Sequence, residues 1–221
     1  SELSSGVVKI FSNNEAFAAL KKNGSVVTWG NESYGGDSSS ASSELSNGVT
    51  EIFSTSRAFA ALKKNGSVVT WGDESCGGDI GYQDEESGWL TQELTLRSIR
   101  MKIISVLKSS IRYSLLRNVV TITSNNCAFA ALKENGSVVT WGDVMCGGDS
   151  EVWARGYGYR KQFIADMASK LRCDVIKIFS TNGAFAALKQ DGSVVTWGLT
   201  GDYNCGIISS DVASDLHGGV V

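Results

Sequence analysis

Three of the five cysteines occupy one place in a repeated pattern, and thiols are the side chains here best suited to chemistry. Cys76 and Cys146 each precede Gly-Gly-Asp, Cys205 falls at the matching later place, and Tyr34 occupies that place in the first copy. Equivalent places in a ring of repeats lie around its axis, so a narrow ring would bring the thiols together as metal ligands. A wide ring would keep them apart as small buried residues, which is the usual role of a cysteine outside disulfides. We expect the second arrangement and no metal site.

The other reactive side chains form no convergent set. Cys127 and Cys173 lie at other places in the pattern and are interpreted as structural, and an odd number of cysteines argues against a fully paired disulfide framework. His217 is the single histidine and has no partner visible in the sequence. The sequence offers no glycine-rich phosphate loop and no metal-ligand spacing. We therefore predict no enzymatic activity, no catalytic residue and no cofactor.

Aspartates that follow Gly-Gly suggest calcium, whose preferred ligands are clustered oxygens. Asp37, Asp79 and Asp149 occupy these places, at least 42 residues apart. Calcium-binding repeats of stacked glycine-aspartate turns stand in tandem, which this spacing does not allow. Serine after aspartate is typical of an Asx turn, in which the carboxylate accepts a nearby backbone hydrogen bond. We predict simple Asx turns.

A stretch of fifteen residues occurs four times in the chain, and each copy is followed by one of these glycine-rich turns. The copies begin at residues 16, 58, 128 and 184, and the first is AFAALKKNGSVVTWG. In each copy Asn-Gly or Asp-Gly separates two apolar runs, which is a strong β-hairpin signal. A β-rich run such as VVKIFS (7–12) precedes the hairpin, so each unit predicts three strands. Both faces of AFAAL are apolar, which predicts small sheets that stack face to face.

These repeats predict an all-β fold with minor α content, namely a β-propeller built from four repeat blades with two helical insertions. A closed four-bladed ring and an arc of a larger propeller both fit the pattern. The predicted repeat cores span 6–42, 48–84, 118–150 and 174–208, and the insertions span about 85–117 and 151–173. The recurrent tryptophans are expected to pack between blades, and Leu45 is expected to point inward from a short helical turn.

The pattern V-x-x-I, then AFAALK-x-(N/D)-G-S-V-V-T-W-G, then Gly-Gly resembles the regulator of chromosome condensation repeat family. It is most similar to the short-repeat members, such as the propeller-type β-lactamase inhibitor proteins. The resemblance covers the four cores, roughly half of the chain, and implies a β-propeller. Family repeats commonly have Gly-His before the Ala-Leu strand, where this sequence has Glu15, Arg57, Cys127 and Gly183 before alanine. The family's propellers usually have about seven blades, against four clear cores here.

The two insertions contain most of the candidate binding residues. Residues 89–117 predict a helix with an apolar face, and its basic residues Arg97, Arg100, Lys108 and Arg112 lie beside that face. This helix either binds an anionic partner or packs on the propeller with solvated charges, and a degraded blade is a third interpretation. The second insertion predicts a docking helix over 159–171.

An aromatic and basic stretch precedes that docking helix, and exposed aromatic residues with arginine are typical interface anchors. Its candidate binding residues are Trp153, Arg155, Tyr157 and Tyr159, and Tyr34 is a further candidate on the first turn.

We predict a non-enzymatic interaction module that binds a protein partner of unknown identity through loops on one face, because propellers present variable loops on a rigid core. The loops are 31–37, 73–84, 143–159 and 199–205. Self-association is a further expectation. The alternatives are an extracellular glycan- or surface-binding module and, from the family resemblance alone, a guanine-nucleotide exchange factor.

Charge and hydropathy argue against two kinds of interaction, with nucleic acid and across a membrane. The 20 basic and 23 acidic residues nearly balance, so no nucleic-acid partner is expected. No run of 18 apolar residues occurs, so we expect no transmembrane segment. The opening SELSSGV matches SELSNGV at 43–49, which suggests a chain cut from a longer one or matured.

Overall fold

The computed structural model describes residues 3–79, 116–148 and 169–198. These residues form four antiparallel sheets, each of three strands that follow one another in the chain. The strands are β1 Val7–Ser12, β2 Ala16–Lys21, β3 Val26–Gly30, β4 Val49–Ser54, β5 Ala58–Lys63, β6 Val68–Gly72, β7 Val119–Ser124, β8 Ala128–Lys133, β9 Val138–Gly142, β10 Val175–Ser180, β11 Ala184–Lys189 and β12 Val194–Gly198. Each sheet is one blade, so β1–β3 form blade 1 and β10–β12 form blade 4.

Each blade is organised around the hairpin of its second and third strands. The hairpin register places a phenylalanine opposite a tryptophan, as with Phe17 and Trp29 in blade 1 and Phe59 and Trp71 in blade 2. The two rings stack in every blade, with centroids 5.2–5.3 Å apart and planes 13–24° apart. The first strand pairs with the second through a register shift, which adds twist to the blade.

Consecutive blades bury an apolar cluster, and we call each such boundary a seam. At the seam between blades 1 and 2, alanines of β2 pack against Ile52, Phe59 and Trp71. Leu45 completes the cluster from the short helix α1 (Ser42–Leu45) and is 1% exposed. The same set recurs at the other two seams. A hairpin glycine carbonyl also accepts the first amide of the next blade at 3.0 Å at all three seams.

Blade 1 has one uncovered face, although its hairpin is identical in sequence to that of blade 2. Phe17 is 43% exposed and Ile10 is 58% exposed, whereas their equivalents Phe59 and Ile52 are 0% and 2% exposed. In blades 2 to 4 the preceding blade covers this face. The described blades therefore form an arc whose first face has no blade against it.

The predicted β fold, the hairpins and the inward-pointing Leu45 are confirmed. The helices predicted in the two insertions fall mainly on residues 80–115 and 149–168, which lie outside the described residues. In the described part of the chain, no helix has the length and apolar character needed to cross a membrane.

Candidate binding surface on the turn face

The third strands of the blades end at one edge of the fold, which we call the turn face. There a polar residue caps a single 3-10 turn by accepting a backbone hydrogen bond with its side chain. The caps and their donors are Asn31 with the amide of Ser33, Asp73 with that of Ser75, and Asp143 with that of Met145, at 3.0, 2.8 and 2.7 Å. A glycine in the left-handed region ends each turn, with φ between 85° and 92°. Three blades thus share one turn geometry.

In the Gly-Gly pair after each turn, the first glycine fits tightly against the next blade and the second against the end of the third strand of its own blade. A side chain on Gly35 would place its Cβ 2.9 Å from Cδ2 of Phe59, and one on Gly36 would place it 2.4 Å from the carbonyl oxygen of Gly30. The indole nitrogen of Trp71 donates to the carbonyl of Gly35 at 3.0 Å. Equivalent bonds join Trp141 to Gly77 and Trp197 to Gly147, both at 3.2 Å. The predicted packing of the tryptophans between blades is therefore confirmed for Trp71, Trp141 and Trp197. Trp29, in blade 1, has no preceding described blade against it and is only half-buried.

The two residues after the cap differ in blade 3 from those in blades 1 and 2, although the turn geometry is the same. In blades 1 and 2 these positions present exposed acidic and hydroxyl side chains, from Glu32–Ser33 and Glu74–Ser75. In blade 3 they present Val144 and Met145, which are 54% and 43% exposed. The turn face is consequently acidic over blades 1 and 2 and apolar over blade 3.

Tyr34, the one candidate binding residue that the structure describes, lies half-buried on this face. The guanidinium of Arg57 stacks over its ring at 5.3 Å and lies 3.6 Å from a carboxylate oxygen of Asp73. The side-chain amide of Asn13 donates to the Tyr34 carbonyl at 2.7 Å, which fixes the turn. Burial raises the pKa of Asp73, but hydrogen bonds from Ser75 and the charge of Arg57 outweigh burial, so this pKa lies below its ordinary value.

At the next seam, the same two places hold a pair of cysteines. Cys76 is equivalent to Tyr34, Cys127 is equivalent to Arg57, and the two sulfurs are 2.9 Å apart. Interpreting Cys127 as a structural residue at an unrelated place missed this contact. The signal was the position of Arg57 and Cys127, each immediately before AFAALK. In the described ranges, no three His, Cys, Asp or Glu residues cluster as metal ligands would.

Of the remaining predictions, one concerns a turn that the structure describes, and the others concern residues outside the described ranges. For Asp37 the predicted Asx turn is confirmed, because its carboxylate accepts the amide of Ser39 at 2.8 Å. The other candidate binding residues lie outside the described residues, namely Arg97, Arg100, Lys108, Arg112, Trp153, Arg155, Tyr157 and Tyr159. Their roles stay predictions.

Solved structures of similar fold exist for a yeast protein. The crystal structure of Prp20p from Saccharomyces cerevisiae, studied with its binding to Gsp1p and histones, is 19% identical, with a TM-score of 0.53 over 91% of this chain and 46% of Prp20p. Yeast RCC1 (Prp20) with Kap60 bound is 20% identical, with a TM-score of 0.52 over 97% of this chain and 48% of that one. This chain spans about half the length of either structure.

No protein-family model and no curated protein matches the sequence of this chain. The fold evidence is thus the four three-stranded blades, their seams and the similarity to Prp20p. The chain has the β-propeller fold of the regulator of chromosome condensation proteins.

Proposed function

We propose that this chain is a non-enzymatic module that binds a protein through its turn face. The observation that supports this proposal is one turn geometry that presents glutamate and serine in blades 1 and 2 but valine and methionine in blade 3. The caps and the Gly-Gly pairs hold the backbone, so the residues between them are available for recognition. Rigid presentation lowers the entropy that binding must overcome.

The chemistry of the turn face suggests the kind of partner. Glu15, Glu32 and Glu74 are exposed over blades 1 and 2, and the charge of Arg57 is partly balanced by Asp73. Val144 and Met145 supply the apolar area over blade 3. A protein surface with basic residues beside an apolar side chain complements this arrangement. The solved structures of Prp20p support the class of function, because Gsp1p, histones and Kap60 are all proteins.

Site-specific photocrosslinking in a lysate of the source cells tests this proposal. A photoreactive residue at Glu32 or at Val144 is expected to capture the same protein. The same residue at Glu134, which lies exposed at the hairpin edge, serves as the matched control. Adducts of equal yield at all three positions would contradict a binding role for the turn face, and adducts that contain glycan would favour the surface-binding alternative.

Self-association through blade 1 is a second candidate function. The face of blade 1 that carries Ile10 and Phe17 is exposed, whereas the equivalent faces of blades 2, 3 and 4 are buried in the three seams. A second copy that presents the half-buried Ala186 and Leu188 of β11 would bury it as the internal seams do. Light scattering during size exclusion is expected to give a mass above one chain, reduced to one chain by Phe17→Glu. A monomeric wild-type chain at high concentration would overturn this candidate.

A further inference from the structure

The paired cysteines at the seam between blades 2 and 3 are held by separate parts of the chain. Cys76 ends the 3-10 turn Glu74–Cys76 and is 4% exposed, whereas Cys127 directly precedes β8 and is half-buried. Their sulfurs are 2.9 Å apart, with the Cys76 thiol donating to the Cys127 sulfur. The hydroxyl oxygen of Ser56 lies 3.6 Å from the same Cys127 sulfur. The two thiols therefore meet although 51 residues separate them in sequence.

The backbone around both cysteines is fixed by hydrogen bonds on each side. The Cys76 carbonyl accepts the hydroxyl of Thr55 at 3.0 Å, and the Cys76 amide donates to the carbonyl of Asp73 at 3.1 Å. The Cys127 carbonyl accepts the amide of Asp143 at 2.8 Å, and its own amide donates to the side chain of Asn125 at 3.1 Å. These bonds hold in place the two backbone segments from which the sulfurs extend. A disulfide has its sulfurs about 2.05 Å apart, so bond formation needs a closure of roughly 1 Å.

The repeat does not require this pairing, because the other described seams place different residues there. The seam between blades 1 and 2 has Tyr34 against Arg57, and at the next seam Cys146 is matched in sequence by Gly183. The two thiols are thus a local departure from the repeat.

We propose that Cys76 and Cys127 form a reversible dithiol–disulfide pair that covalently joins blades 2 and 3. The oxidant is a low-molecular-weight disulfide of the glutathione class. The Cys127 thiolate attacks one oxidant sulfur, the oxidant S–S bond breaks, and one thiolate leaves and takes up a proton. Cys76 then loses its proton to solvent and attacks the Cys127 sulfur, which releases the second small thiol. Two protein thiols lose two electrons in total, and one small disulfide becomes two thiols.

The order of the two steps follows from exposure and acidity. Cys127 is the more exposed sulfur, so it meets the oxidant first. Burial and the neighbouring Cys127 sulfur raise the pKa of the Cys76 thiol to about 12. Cys76 therefore stays protonated at neutral pH and acts second, once the mixed disulfide lies beside it. Closure of the pair is expected to accelerate as pH rises.

The disulfide would tie together the ends of the segment 77–126, which contains the first insertion. Closing a loop of this length restricts the unfolded chain, so the oxidised protein is expected to melt roughly 5 to 10 °C above the reduced protein. The seam itself should change little, since both backbones are already held in place.

Peptide mapping of the full chain in glutathione buffers tests the proposal. After thiol blocking and trypsin digestion without reductant, the expected product is residues 65–97 linked to 118–133, since each of these peptides contains one cysteine. Cys76→Ala and Cys127→Ala should each abolish the linked peptide and the rise in melting temperature. Cys173→Ala, at an exposed cysteine away from the seam, is the matched control and should preserve both.

Three results would overturn the proposal. The first is a pair that stays reduced in fully oxidised glutathione. The second is a linked peptide that joins one of these cysteines to Cys146, Cys173 or Cys205 instead. The third is an oxidised protein that carries the expected link but melts with the reduced one.

Discussion

Truncating the same phenylalanine in blades 1 and 2 separates the contribution of a seam from that of the repeat sequence. Phe17 and Phe59 lie in hairpins of identical sequence and stack on their tryptophans at the same 5.3 Å. Strand propensity, turn chemistry and the stacked pair are therefore matched. The two residues differ in what covers them, because Phe59 is 0% exposed beneath Gly35 and Phe17 is 43% exposed.

The expected costs follow from this difference in burial. Phe59→Ala leaves a cavity inside a closed seam and should lower the free energy of unfolding by about 3 to 5 kcal/mol. Phe17→Ala removes a ring that is already partly in water, so its cost should be roughly 1 to 2 kcal/mol. Phe129→Ala, at the next seam, serves as an internal replicate and should match Phe59→Ala, because Phe129 is also 0% exposed.

Equilibrium unfolding in urea, followed by far-ultraviolet circular dichroism, measures these free energies. We expect a gap of about 2 kcal/mol in the free energy of unfolding between Phe17→Ala and the other two variants. Unfolding is followed at a concentration at which light scattering gives the mass of one chain, so that a second copy does not cover Phe17. Equal costs for all three variants under that condition would contradict the exposure of Phe17 on blade 1. A small cost for Phe59→Ala would show that the seams do not stabilise the fold as their burial implies.

Three further substitutions test the turns and their contacts. Trp71→Phe leaves the Gly35 carbonyl without its indole donor and should cost about 1 to 3 kcal/mol in urea unfolding, more than Trp29→Phe in the uncovered blade. Gly35→Ala places a side chain on a residue in the left-handed region and against the next blade. The free energy of unfolding of this variant should fall by at least about 1 to 3 kcal/mol, which a lower melting temperature would show. Asp73→Asn keeps a cap but loses the charge partner of Arg57. Because the pKa of Asp73 is lowered by folding, its stabilisation is present above the ordinary carboxyl pKa and is lost as pH falls through the folded value. The stability gap between wild type and Asp73→Asn should thus shrink from pH 7 to pH 3, and a constant gap would contradict this account.

The blades were predictable from sequence because their determinants are local. Asn23-Gly24 lies between two apolar runs, and Gly24 adopts a positive φ of 79° in the hairpin turn. The spacing of Leu45 from the next strand likewise predicted its burial, since a single helical turn connects them. Neither inference required knowledge of a neighbouring blade.

The contacts across seams were not predictable in the same way. A comparison of the repeats aligns equivalent positions, and these lie in different blades. A seam instead joins two different positions, the turn residue of one blade and the residue before the second strand of the next. Tyr34 with Arg57 and Cys76 with Cys127 both follow this rule. The offset between the two positions depends on how the blades pack, which the repeat alone does not state.

On the turn face, the residues that hold the fold together are distinct from those proposed to bind a partner. Gly35 and Gly36 contact the next blade and the third strand, so substitutions there disturb a seam. Glu32 and Ser33 lie outside that contact and point to solvent, while the cap at Asn31 holds their backbone whatever side chains they carry. Changes at these two places can therefore alter charge and hydropathy with little effect on folding. The apolar pair in blade 3 on an equally capped turn is such a change already present in the chain. The proposed binding role therefore assigns partner specificity to the residues directly after each cap.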